Sequence, residues 1–216
     1  MNAFILAGGL STRMGRDKAL LEVSGRPLIV HALEKLRSLG FTPRIAASRP
    51  DLERFAPVIP DRFASDQNPD YRRGPLAGIE AALSASDSPL NLFLPVDLPL
   101  VPIAFLAWLV ERAETTQALA TISCLTGRRQ PLCAAYSREL LPGLTASLAA
   151  GNYKVQAGVE HGLLLAGGRL DCFHLESIAA ALPAGRWPAE PPLHHWFRNL
   201  NTPEEVIALE QTASIH

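Results

Sequence analysis

The chain has 216 residues, 48% of them hydrophobic, enough for one substantial core and too few for two domains of ordinary size, so a single domain over 1–216 is expected. A formal net charge of -1 supplies no diffuse positive field to hold a nucleic-acid backbone, so any phosphate must be met by a local site. Cys124, Cys133 and Cys172 match no metal-ligand spacing and cannot all pair within one chain, and no run has the flank or length of a signal peptide or membrane span. The expectation is a cytoplasmic protein with buried thiols and no membrane partner.

In chain order, an apolar run of strand length at 3–7 leads directly into LAGGLSTRMGRDK at 6–18. Adjacent Gly8 and Gly9 let the backbone turn sharply and bring N–H groups close to an anion, and Arg13 and Lys18 add the charge a triphosphate requires. The spacing is not that of a P-loop, because Lys18 lies three residues past Gly15 and no Ser or Thr follows it, and it is not G-x-G-x-x-G. Leu28, Ile29, Ala32, Leu33 and Leu36 then mark one helical face, and further strands are expected at 44–47 and 58–60, the latter closed by Asp61.

Gly74-Pro75-Leu76-Ala77-Gly78 puts a proline at a helix start, whose free N–H groups and positive dipole end could receive a phosphate or ribose hydroxyl; alone it also reads as an ordinary turn-to-helix junction. A strand at 90–96 delivers Asp97, a carboxylate on a rigid support at the mouth of a loop cluster. Mg²⁺ takes one or two such carboxylates plus phosphate oxygens, although Asp before Pro99 also begins turns. Phe105, Leu106, Leu109 and Val110 mark the next helix, followed by strands at 118–124 and 131–136.

The segment 183–196, with four prolines, two tryptophans and adjacent His194 and His195, is expected to be an irregular surface excursion. Asn199 and Asn201 flank one residue, so on extended backbone both amides point the same way; they could bind a ligand or cap the turn before Thr202. Thr202 as N-cap, Pro203 at the first helical position and Glu205 closing a capping box predict a short helix to about 210. Alternation of strands and helices predicts an α/β chain: a Rossmann-like three-layer α/β/α domain with a mostly parallel twisted sheet and ligands outside the carboxyl ends of the strands.

The run Leu6-Ala7-Gly8-Gly9-x-Ser11-x-Arg13-Met14-Gly15-x-Asp17-Lys18 resembles the signature of the molybdenum cofactor guanylyltransferases, the MobA family, within the nucleotidyltransferases. Asp61, the Gly74–Gly78 segment, Pro95-Val96-Asp97-Leu98-Pro99 and Asn199-Leu200-Asn201-Thr202-Pro203 agree with it in order and spacing. The resemblance implies the nucleotidyltransferase fold and Mg²⁺-dependent transfer of GMP from GTP to the terminal phosphate of molybdopterin. It implies a nucleotide-binding half at about 1–110 and a pterin half at about 111–216, with molybdenum-insertion proteins and molybdoenzymes as further partners. On its pattern Leu6, Ala7, Gly8, Gly9, Lys18, Asp61, Gly78 and Asp97 meet the nucleotide, and Asp97 holds the metal. Arg13, Lys18 and Asp97 carry the catalysis, and Lys154, Asn199 and Asn201 face the pterin.

Three departures from the pattern bear on specificity. The family's base-contacting asparagine aligns with Ala46, leaving that contact missing or supplied by Ser48, the proline-rich excursion before Trp196 is longer than the pattern, and an expected arginine pair becomes Tyr153-Lys154, which keeps a charge without the bidentate fork. The competing readings are a cytidylyl or sugar-1-phosphate nucleotidyltransferase of the same fold and a non-catalytic nucleotide or pterin carrier.

Overall fold

In the computed structural model, which describes residues 1–8, 18–61, 74–200 and 205, the chain begins with the strand that becomes the middle of its sheet. β1 (Asn2–Leu6) is buried beyond its first residue because every side chain on it meets a covering layer. It pairs in parallel with β4 (Arg44–Ala46) on one side and β6 (Leu90–Pro95) on the other, with Phe4 opposite both Arg44 and Phe93. β5 (Val58–Ile59) extends the parallel set beyond β4. β8 (Arg128–Ser137) is antiparallel to β6 and to β7 (Ala120–Leu125), and β9 (Leu170–His174) lies parallel to β7. The order is β5-β4-β1-β6-β8-β7-β9, so the expected mostly parallel sheet carries one reversed strand.

The period-two alternation of side chains divides the core into two layers. Ala3, Ile5, Ile45, Leu92 and Leu94 face α1 (Leu28–Ser38) and α3 (Ile103–Thr116). Phe4, Leu6, Ala46, Phe93 and Tyr136 face α2 (Gly74–Ser84), α4 (Leu141–Ala149) and α5 (Val155–Ala166). A last helix, α6 (Leu175–Ala181), follows β9. The α/β/α layering read from the sequence is therefore the observed one. The five apolar positions assigned to the first helical face are the ones α1 buries.

Two strand pairings escaped the sequence pattern. β2 (Glu22–Val23) and β3 (Arg26–Pro27) form a minimal hairpin around Ser24 and Gly25, at φ 51° and 71°. Thr126 and Gly127, at φ 49° and 75°, likewise connect β7 to β8. A two-residue turn with both φ positive matches the twist of its strands, so Thr-Gly is the local signal for the reversal of β8. β9 is an edge strand: Asp171 and Phe173 point into the core, but the other side is uncovered, which leaves Cys172 exposed rather than buried as expected.

The proline-rich excursion also differs from expectation, because its tryptophans bring it into the core. Apart from a 3₁₀ turn at Leu193–His195 it is irregular, yet Trp196 is fully buried and packs on Phe105 and Trp187 at centroid separations of 5.4 and 5.3 Å. Trp187 in turn meets Trp108 edge-on at 5.4 Å. Rings of this size bury enough apolar area to hold a segment that makes no regular backbone ladder. The predicted helix from Thr202 lies outside the described residues except for Glu205, which is helical. Among the described residues no helix is long and apolar enough to cross a membrane.

α4 and α5 cross where glycine meets glycine. A Cβ on Gly143 would fall 2.3 Å from the backbone of Gly162, and one on Gly162 would fall 2.8 Å from the carbonyl oxygen of Leu140. Gly143→Ala is therefore expected to destabilise the fold by about 2 kcal/mol, since a clash of about 3 kcal/mol outweighs the roughly 1 kcal/mol that alanine adds to helix propensity. A thermal melt lowered by several degrees checks this, and an unchanged or raised Tm would show that the helices separate freely.

Candidate active site

The carboxyl ends of β1, β4, β5 and β6 reach one edge of the sheet. The ladder continues one residue past the strands, through Ala7 N–H to the Ala46 carbonyl (3.3 Å), Ala47 N–H to Ile59 (3.1 Å) and Val96 N–H to Leu6 (3.1 Å). The chain leaves the sheet together at Gly8, Ser48, Asp61 and Asp97, so sequence-distant residues are delivered to one mouth. From β1 the connections run outward to β4 and β5 before the chain returns on the other side as β6. The crevice between β1 and β6 is thus the point where strand order reverses, which is where such sheets bind ligands.

Lys18 returns to this crevice at the start of a 3₁₀ turn, Lys18–Leu20, anchored by buried Ala19 and by the N–H of Leu21 on the Lys18 carbonyl (3.2 Å). Its Nζ donates to Asp97 Oδ2 at 3.3 Å, with the two side chains 27% and 17% exposed. A cation and an anion are thus placed side by side, partly shielded from water yet reachable by a ligand. Among the described residues, no heavy atom beyond its chain neighbours lies within 4 Å of where a Cβ on Gly8 would stand. Gly9 and Arg13 lie outside the described residues.

Asp97 is held from a direction the sequence did not indicate. The N–H of Leu200 donates to the Asp97 carbonyl at 3.1 Å, and Leu200 is buried, so the C-terminal stretch is tied to the carboxylate's own backbone. Asn199, the residue before it, is exposed beside this link, while Asn201 lies outside the described residues. Lys35 supports the same turn from below: its Nζ donates to the carbonyls of Pro99 and Val101, the latter at 2.6 Å. Burial pushes this ammonium down to about 8, so it is still mostly charged at neutral pH and those carbonyls take the place of its water. The available signal was position, since Lys35 follows Leu28 by seven residues on the buried stripe of α1.

The other candidate residues are carried by different elements. Gly78 lies within α2, where an added Cβ would meet Leu6 at 3.6 Å and Ala46 at 3.8 and 3.9 Å. That end of β1 and β4 is consequently an apolar wall: Ala46 is buried there, and Ser48 lies exposed on the bend that follows. Asp61 is partly buried just beyond β5. Lys154 is exposed at the start of α5, its N–H bonded to the Asn152 side chain at 3.3 Å. The carbonyl of neighbouring Tyr153 lies 3.8 Å from the Cβ position of Gly74, so the Lys154 loop adjoins the first residue of α2.

Parallel strands that bring Gly8, a lysine and a strand-end aspartate to their switch point fit an α/β nucleotidyltransferase. The model of the MobA-like NTP transferase domain matches residues 3–161. A molybdenum cofactor guanylyltransferase of Vibrio cholerae is 36% identical over 154 residues, covering 70% of this chain and 72% of that protein. The crystal structure of molybdopterin-guanine dinucleotide biosynthesis protein A from Archaeoglobus fulgidus superposes with a TM-score of 0.75 at 22% identity, covering 100% of both chains. That of 2-C-methyl-D-erythritol 4-phosphate cytidylyltransferase from Thermus thermophilus gives 0.62 at 16% identity and 98% of both, showing the same fold. The chain belongs to the MobA-like NTP transferase family, as its glycine-rich signature led us to expect.

Proposed function

We propose that the chain transfers GMP from GTP to the terminal phosphate of molybdopterin. The observation that carries this reading is the Lys18–Asp97 pair, 3.3 Å apart at the switch point. The name of the Vibrio cholerae relative, a molybdenum cofactor guanylyltransferase, supports it. An oxygen of the molybdopterin phosphate attacks the α-phosphorus of GTP, the bond from that phosphorus to the bridging oxygen breaks, and pyrophosphate leaves. Such a transfer needs little covalent help from the protein, so positioning and charge neutralisation supply the rate.

Asp97 suits Mg²⁺. Among the described residues no group of three or more His, Cys, Asp or Glu side chains could hold an ion, which disfavours a metal caged by protein alone. A single strand-end carboxylate fits an ion that completes its shell with phosphate oxygens and water. When bound, Mg²⁺ would withdraw charge from the phosphates. Lys18 and Arg13 hold the triphosphate, and the N–H groups of Gly8 and Gly9 orient it. Leu6, Ala7 and Gly78 shape the guanine end and Asp61 binds the nucleotide, while Lys154, Asn199 and Asn201 meet the pterin. The nucleotide half is then about 1–110 and the pterin half about 111–216, with Leu200 joining the second to the first. A cytoplasmic setting and exchange with molybdenum-insertion proteins and molybdoenzymes accompany this role.

The test is to supply Mg²⁺, molybdopterin and each nucleoside triphosphate in turn and follow pyrophosphate. GTP is expected to be used at least about tenfold faster than CTP, a preference of about 1.4 kcal/mol. Because Ala46 stands where the family's base-contacting asparagine is expected, CTP turnover without GTP turnover is the result that would replace guanylyl with cytidylyl transfer.

A further inference from the structure

The turn that carries Asp97 is built on a half-buried cation. Leu98 and Val101 sink into the core beneath it, 5% and 0% exposed, while the Lys35 ammonium donates to the carbonyls of Pro99 and Val101. A charge in this position is costly unless its donors are used, and an apolar residue of similar length would pack the same space without that cost. What the ammonium adds is direction: two converging carbonyls fix the peptide planes that follow Asp97, and the Leu200 N–H fixes the carbonyl of Asp97 itself. The carboxylate therefore projects from backbone pinned on both sides. Cys133 of β8 is wholly buried, which pushes its thiol up to about 12.

We propose that Lys35 is a positioning residue for the transfer reaction, aiming the Asp97 carboxylate at its cation by holding the Pro99 and Val101 carbonyls. This rests on the assignment of Asp97 to the metal. Lys35 touches neither substrate nor metal and acts only through the turn. Groups that orient a metal ligand typically influence affinity or activity by about 10–100-fold when removed.

The experiment uses the full-length protein with Mn²⁺ and GTP, reading bound Mn²⁺ by electron paramagnetic resonance, alongside steady-state pyrophosphate release and a thermal melt. Lys35→Met is expected to weaken Mn²⁺ binding and lower kcat by about tenfold each, with KM for molybdopterin changed less than about twofold and Tm nearly unchanged. Lys35→Arg, which keeps the charge and donors, should recover most of the Mn²⁺ affinity. If Lys35→Met does not fold, Lys35→Gln, whose shorter amide cannot span both carbonyls, takes its place with the same expectation. Loss of Tm with unchanged Mn²⁺ affinity would make Lys35 purely structural and overturn the proposal. Asp97→Asn run in parallel separates the two readings. If it weakens Mn²⁺ while the Lys35 variants do not, only the positioning role fails; if it leaves Mn²⁺ unaffected, the metal assignment fails and the role of Lys35 with it.

Discussion

Asp97→Asn is expected to lower kcat for guanylyl transfer by about 10³-fold while leaving the fold intact. The substitution keeps the size of the side chain and removes only its charge. The backbone on either side is held by bonds that do not involve the carboxylate, from Val96 N–H to Leu6 and from Leu200 N–H to Asp97. In the proposed function what is lost is the anion that would hold the cation against the triphosphate, a contribution of several kcal/mol, and about 4 kcal/mol corresponds to 10³ in rate. Stability should hardly change, because a partly exposed ion pair such as that with Lys18 contributes about 0–1 kcal/mol, or a Tm shift within about 4 °C. Pyrophosphate release and a thermal melt measure the two quantities. Chelating divalent ions should bring the unmodified protein to a similarly low rate, with Mg²⁺ restoring it. If the variant kept more than a tenth of the original kcat at saturating Mg²⁺, Asp97 would have no place in the chemistry.

Lys18→Met should lower kcat/KM for GTP by about 10²-fold, because in the proposed function the ammonium neutralises phosphate charge in a crevice where water screens it only partly. Buried Ala19 and the Leu21 N–H still anchor the turn without that side chain, so the loss is expected in function and not in folding. Lys18→Arg should recover part of the activity, since a planar fork does not reproduce a compact point charge. With the two side chains 3.3 Å apart and serving one ligand, the Lys18→Met, Asp97→Asn double variant should lose less than the product of the single losses. Strict additivity in kcat/KM would mean that the two groups do not act on the same phosphates.

Much of this architecture was legible because burial leaves a mark on composition. β1, β4 and β6 read as apolar runs since parallel strands covered on both faces have no polar side, and α1 announced itself by the stripe it buries. β9 did not: with one side open its sequence, LDCFH, has too few apolar residues to stand out, and Cys172 on the open side was misjudged as buried. The excursion around Trp187 and Trp196 misled in the opposite sense. Prolines forbid a regular ladder, but they do not prevent aromatic rings from burying themselves against Phe105 and Trp108. For the candidate site, Lys18 and Asp97 carried their chemistry in their side chains. The Leu200 N–H could not be seen, because every residue but proline has one.

By itself, then, the sequence determined the α/β class, the strands that end at the ligand edge and a chemical inventory of glycines, basic residues and the strand-end carboxylates Asp61 and Asp97, since each depends on local pattern or side-chain type. Only the tertiary structure decided that Lys18 meets Asp97 across 79 positions, that the C-terminal stretch closes on the Asp97 carbonyl and that a lysine of α1 lies beneath the same turn. Those are relations between distant segments, set by the order in which strands take their places in the sheet and by what the core must cover. Sequence distance does not encode them.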